Sequence, residues 1–262
     1  MTGLTLSLLA ALADGGVDPA EALTPAAQLV TATTAREWVD QLLEDGRHTR
    51  FGTEGRGPVH VWRPAFYKPQ GAAVVVYLHG YYSSADSAFF EHRLAMQFRD
   101  SGRNGVFIVP ETPSWRTDPL YWDDLEALLT QTFARTKLKR PEGPVVVVAH
   151  SGAFKNVAAW LAHPQLKQVV LLDGLYGADK EFQAWVEAPG HQLVMVGFET
   201  AQRTDWFLTK HPQATKLDDV PYLYDRVAKL NAPVVYFSSD RFDHMAIVTD
   251  GRVIPYLLHA LP

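Results

Sequence analysis

Ser151 is the residue best placed to attack a substrate. It follows the run Val145-Val146-Val147-Val148-Ala149 and sits in His150-Ser151-Gly152-Ala153, just ahead of a helix-like segment. A serine on a sharp strand-to-helix turn pushes its hydroxyl out over the sheet edge, toward the positive end of the next helix. A second group, Leu78-His79-Gly80-Tyr81-Tyr82, ends another Val-rich run. The backbone N–H groups of Tyr81 and Gly152 could hold the oxyanion of a tetrahedral intermediate, each such donor contributing roughly 2.7–4 kcal/mol. A third residue, His244, follows the last apolar run and could take the Ser151 proton and return it to a leaving group. Asp173, ending Gln168–Leu172, could orient that imidazole; Glu199, after Leu193–Phe198, is the alternative acid. The chain has no cysteine, so thiol nucleophiles and Cys-ligated metals are excluded.

Other residues admit plainer readings. His79 fits a loop-holding role through backbone hydrogen bonds, and His150 packs beside the strand. Glu111, in Pro110-Glu111-Thr112-Pro113, could meet a cationic substrate group. Tyr82 and Trp206 are candidates for substrate contact, with Trp206–Tyr224 as a candidate lid. Asp240, Asp243 and His244 share one loop, too local a set for a metal site, so no metal or cofactor is expected.

These residues need a scaffold that brings distant strand ends together. Ala72–Leu78, Gly105–Val109, Pro144–Ala149, Gln168–Leu172, His191–Gly197 and Pro233–Phe237 are strand-sized apolar runs. Helix-like segments alternate with them: Ala85–Asp100, Tyr121–Leu138, Lys155–Ala162, Lys180–Glu187 and Ile254–Ala260. The alternation implies parallel strands, right-handed crossovers and a ligand crevice at the C-terminal strand ends. His48–Thr53 and Val59–Arg63 read as an antiparallel pair about a glycine-rich turn. Ala35–Glu44 reads as a helix ended by Gly46, and Thr204–Leu230 as two helices broken at Pro212 and Pro221. The organisation expected is an N-terminal helical arm, 1–45, and one catalytic domain, 46–262.

Over about residues 46–262 the combination resembles the α/β-hydrolase superfamily: an opening antiparallel pair, the His79-Gly80 turn, the Ser151 turn, then an acid and a late His244. The family's G-x-S-x-G pattern reads Ala149-His150-Ser151-Gly152-Ala153 here, each Gly→Ala change adding one methyl group. The His150-Ser151-Gly152-Ala153 turn together with Leu171-Leu172-Asp173-Gly174-Leu175-Tyr176-Gly177 also resembles a bacterial group within it. The resemblance implies an α/β fold with a mostly parallel eight-stranded sheet flanked by helices. It also implies a serine hydrolase acting on a carboxylic ester or amide through an acyl-enzyme. A catalytically silent binding protein, or an acyltransferase or lyase using the same site, are the alternatives.

The 24 Lys+Arg against 29 Asp+Glu give a net charge of −5, and no basic run suggests a nucleic-acid partner. A small molecule is the expected partner. No apolar run approaches the roughly 20 residues that span a bilayer. Leu4–Ala13 has the apolar character of a signal segment, but the preceding Met-Thr-Gly lacks a basic residue. A cytoplasmic location is therefore favoured over secretion.

Overall fold

A computed structural model describes residues 39–221 and 230–262, and these form one mixed sheet with helices on both faces. The strands are β1 (Val39–Leu43), β2 (Gly46–Thr53), β3 (Gly57–Pro64), β4 (Ala73–Leu78), β5 (Gly105–Pro110), β6 (Val145–His150), β7 (Leu166–Leu172), β8 (Gln192–Val196), β9 (Thr215–Leu217) and β10 (Val234–Phe237). Their order is β1-β2-β3-β5-β4-β6-β7-β8-β10-β9. The strands from β5 to β9 in that order pair in parallel, and β1, β2, β3 and β5 pair antiparallel. The eight expected strands are β2–β8 and β10; β1 and β9 extend the two edges.

The central strands are apolar on both faces because both faces are covered. Ala73, Val75 and Tyr77 of β4 face a layer of α1 (Ala85–Glu91), α2 (Leu94–Asp100), α7 (Ala246–Thr249) and α8 (Val253–Ala260). Val74, Val76 and Leu78 face α3 (Leu125–Thr136), α4 (Phe154–Trp160), α5 (Asp179–Glu187) and α6 (Ala201–Leu208). β6 alternates in the same way, with Val146 and Val148 on the first side and Val145, Val147 and Ala149 on the second. Each fully buried valine contributes about 1.5–3 kcal/mol, so these strands hold the two layers together. No helix among the described residues is long and apolar enough to cross a membrane.

Two expectations are corrected. Residues 39–43, read as the end of a helix, form β1, whose Leu43 pairs with Gly46 of β2. The two-residue turn uses Glu44 and Asp45 at φ 51° and 56°, the positive angles of a type I′ hairpin. That turn favours Asn and Gly, so its usual sequence signal is absent. Apart from 39–45, the expected helical arm lies outside the described residues. Within Thr204–Leu230, only α6 is helical among the described residues; Thr215–Leu217 instead adds β9 to β10. Tyr222 and Tyr224, at the end of the candidate lid, lie outside the described residues.

A polar network joins the antiparallel strands to α1. Arg50 Nε and Nη2 each donate to Asp86 at 2.7 Å. His60 Nε2 donates to Asp86 at 2.8 Å, and His48 Nε2 donates to His60 Nδ1 at 3.0 Å. Both imidazoles stack on Phe89. Burial holds His48 at about 3 and also lowers His60, so both rings are neutral and Asp86 carries its charge against Arg50. Burial alone would raise the Asp86 carboxyl, but the bonds from Arg50 and His60 outweigh it and hold it below the carboxylate range. Removing one partner of such a pair strands the other, so Asp86→Ala is expected to cost about 2–3 kcal/mol. Asp205→Ala, which breaks the more exposed pair with Lys216, should cost less than about 1 kcal/mol. Urea midpoints at constant m-value would show the difference; equal shifts would reject the role given to the network.

Candidate active site

Ser151, Asp173, His244 and the Tyr81 turn all lie beyond the C-terminal ends of parallel strands, the ligand side of such a sheet. Ser151 follows β6 at φ 54°, a left-handed angle that L residues rarely adopt. It opens a short 3₁₀ turn, Ser151–Ala153, that runs into α4. The methyl groups of Ala149 and Ala153 are absorbed into the buried core on the α4 side, so the departure from glycine there is sterically accommodated.

Two glycines permit the close approach around the serine. A Cβ on Gly80 would sit 2.7 Å from Ser151 Cβ, and one on Gly152 would sit 2.3 Å from the Tyr81 ring. The Tyr81 turn is thereby pressed against the serine turn. Gly152 is in a first helical turn, where N–H groups lack intrahelical acceptors. Tyr82 N–H is committed to Ser114 O at 2.8 Å, so it is not free to meet a substrate. His79 holds the loop as expected: its Nδ1 donates to Gly80 O at 2.8 Å, and its Nε2 accepts from Thr112 N at 3.0 Å.

The acid beside His244 is Asp173. His244 Nδ1 donates to Asp173 Oδ2 at 2.6 Å. The fully buried Asp173 also accepts from Phe198 N (2.9 Å), Glu199 N (3.1 Å), Thr200 N (2.9 Å) and Thr200 Oγ1 (2.8 Å). Burial alone would raise this carboxyl; the bonds from His244 and from the 198–200 turn outweigh it and hold it below the carboxylate range. The Asp173 bond in turn raises His244 above its ordinary value, against burial. Glu199 reaches the same cavity, but its carboxylate accepts from Tyr176 Oη at 2.6 Å. Oxygen and nitrogen atoms of Asp173, Glu199 and His244 lie within 4.8 Å of one another, a spacing that could ligate an ion. The five hydrogen bonds to Asp173 already occupy its oxygens, so it is a poor ligand.

The loop carrying His244 is held by residues the sequence did not mark. Ser239 Oγ donates to Asp219, Arg241 donates to Val220 O, and Asp243 accepts from Met245 N and Ala246 N. The segment read as a lid therefore anchors this loop through Asp219 and Val220. His150 contributes as well: its Nε2 donates to His244 O at 3.0 Å, with the rings 4.5 Å apart. Burial, reinforced by His244 nearby, holds His150 at about 3, so it stays a neutral donor.

Ser151, Gly152, Tyr81, Tyr82, His244 and Glu199 line one cavity of about 850 Å³. Glu111 and Trp206, the other two candidates for substrate contact, are not among the residues that line it. Glu111 is buried, with Oε2 accepting Ala85 N–H at 2.9 Å and Oε1 against His79. Trp206 points to solvent from α6. Arg116, Lys155 and Tyr176 also line the cavity; Arg116 and Lys155 carried no sequence signal, being single residues outside any motif, while Tyr176 lies in the Leu171–Gly177 stretch without having been read as a site residue.

Residues 75–259 match the model of the alpha/beta hydrolase family. No curated protein matches the chain in sequence. Solved structures share its fold. An S-formylglutathione hydrolase from Agrobacterium tumefaciens is 11% identical, with TM-score 0.52 over 85% of this chain and 97% of that one. The feruloyl esterase module from Clostridium thermocellum is 10% identical, with TM-score 0.55 over 87% and 96%. An S-formylglutathione hydrolase from Staphylococcus aureus is 11% identical, with TM-score 0.52 over 86% and 98%. At such identities the likeness is one of fold, whereas the family match spans most of the sheet and its loops. The chain belongs to the α/β-hydrolase family.

Proposed function

We propose that this chain is a serine hydrolase of carboxylic esters, working through an acyl-enzyme on Ser151. The observation that carries the reading is the Asp173–His244 hydrogen bond of 2.6 Å at the cavity that Ser151 also lines. Ser151 Oγ bonds to the ester carbonyl carbon as its proton passes to His244 Nε2. The Tyr81 and Gly152 N–H groups receive the oxyanion. The carbon–oxygen bond to the alcohol then breaks, and His244 returns the proton to the departing oxygen. Water attacks the acyl-enzyme with His244 again as base, releasing the acid and free Ser151. Asp173 fixes the Nε2-basic tautomer and stabilises the imidazolium; Glu199 stands beside it as a cavity residue. Acyl transfer by this route uses no cofactor. The catalytic domain in this reading is 46–262, with β1 added at its edge. The neighbours named as an S-formylglutathione hydrolase and a feruloyl esterase agree with hydrolysis of an acyl group, while the pocket sets the substrate.

A fluorophosphonate probe should label the wild type and leave Ser151→Ala unlabelled. Labelling of both to the same extent, or of neither, rejects the nucleophile.

Exchanging the two acids separates them. Asp173→Asn is expected to lower kcat by about 10⁴-fold through loss of the tautomer, whereas Glu199→Gln should cost less than about tenfold. The reverse order would move the acid role to Glu199.

His244 must be neutral to accept a proton, and Asp173 raises its pKa. The acidic limb of kcat/KM should therefore lie above the roughly 6.5 of an ordinary histidine. In Asp173→Asn the limb should move to lower pH. A limb that stays in place would show that Asp173 does not set the His244 equilibrium.

A further inference from the structure

We infer that the ester taken by this site carries an anionic group, such as a carboxylate, on its acyl part, held by Lys155 and Arg116; this rests on the acyl-enzyme reading above. Two cations stand together at the cavity. Lys155 lies in the first turn of α4, and Arg116 in the loop after β5. Lys155 Nζ donates to Arg116 O at 3.4 Å and stands 5.6 Å from the centre of the Tyr81 ring, the ring that packs on Gly152. Among the described residues neither cation has a carboxylate within ion-pair distance, and both line the cavity. The carboxylates lining it are Glu91 on α1, across the sheet from α4, and Glu199 after β8, which accepts from Tyr176.

The direction of the chemistry orients the substrate within the cavity. His244 must protonate the departing oxygen, so the alcohol leaves on the His244 side. A Glu199 carboxylate oxygen lies within 4.8 Å of a His244 ring nitrogen, and it would oppose an anionic alcohol there. With the oxyanion at Tyr81 and Gly152, the acyl part is assigned to the flank of Lys155, whose ammonium stands by the Tyr81 ring. Lys155 is four residues beyond Ser151, across the short 3₁₀ turn and into α4. That suits a short dicarboxylic half-ester, and the planar Arg116 fork suits its terminal carboxylate.

The test compares three esters of matched size: p-nitrophenyl hydrogen glutarate, p-nitrophenyl pentanoate and 4-(pentanoyloxy)benzoate. The wild type should prefer the half-glutarate over the pentanoate by at least about tenfold in kcat/KM, and should discriminate against the benzoate, whose charge is on the alcohol. The half-glutarate to pentanoate ratio should fall about tenfold in Lys155→Met and in Arg116→Gln, and further in the double variant. A wild-type ratio at or below one, or a ratio unchanged in the variants, overturns the inference while leaving the Ser151 reading intact. A binding arm does not depend on turnover. Calorimetric titration of Ser151→Ala with methyl hydrogen glutarate should give a lower Kd than with methyl pentanoate, and the difference should vanish when Lys155→Met is added. Equal Kd values for the two methyl esters overturn the inference even if the enzyme turns over all three p-nitrophenyl and benzoate substrates. Preferential binding of the glutarate with no hydrolysis of any ester supports the inference and rejects Ser151 as the nucleophile.

Discussion

The buried charge of Asp173 is the constraint on which the C-terminal edge of the sheet depends. Taking a carboxylate fully out of water costs several kcal/mol unless donors replace the lost hydration. Here the donors are His244 and the turn at 198–200. That turn must follow β8 at a fixed height, and β8 must lie beside β7, for the amides to converge. β7 and β8 do pair in parallel, with Leu172 opposite Val196. The same carboxylate fixes one ring nitrogen of His244, so packing of the acid and orientation of the base are one interaction.

His244 is seven residues past β10, and one hydrogen bond would not hold so long a loop. Three further attachments do: His150 to its carbonyl, Asp219 to Ser239, and Val220 O to Arg241. His150 links the serine turn to the histidine loop directly, because the residue before Ser151 bonds to the backbone of His244. Its burial keeps that ring neutral, so it adds no positive charge beside His244. On the other side, glycine at 80 and 152 lets the Tyr81 turn and the serine turn touch. The site is thus a set of close backbone approaches and a few polar anchors, carried on strands whose valines are interchangeable by comparison.

Much of this was legible in the residues. The Val-rich runs marked β4 and β6 because a strand buried on both faces must be apolar throughout. Ser151 stood out by the turn it occupies and His244 by its place after the last strand. Other features had no local signature. The β1 hairpin uses Glu44-Asp45 where Asn-Gly would have announced it, and its residues carry helix-like spacing. Edge pairing with β2 overrode that spacing. β9 is three residues long and gains its place only from β10.

By itself the amino-acid order determined the alternation of strand and helix, the exclusion of thiol chemistry and the positions of serine and histidine, since each follows from residue type and short-range spacing. Which carboxylate meets His244, the neutral donor role of His150, and the flank shared by Lys155 and Arg116 were decided only by the tertiary structure. Those depend on which distant backbone amides, carbonyls and charges meet across the sheet, and side chains separated by tens of residues carry no local record of that meeting.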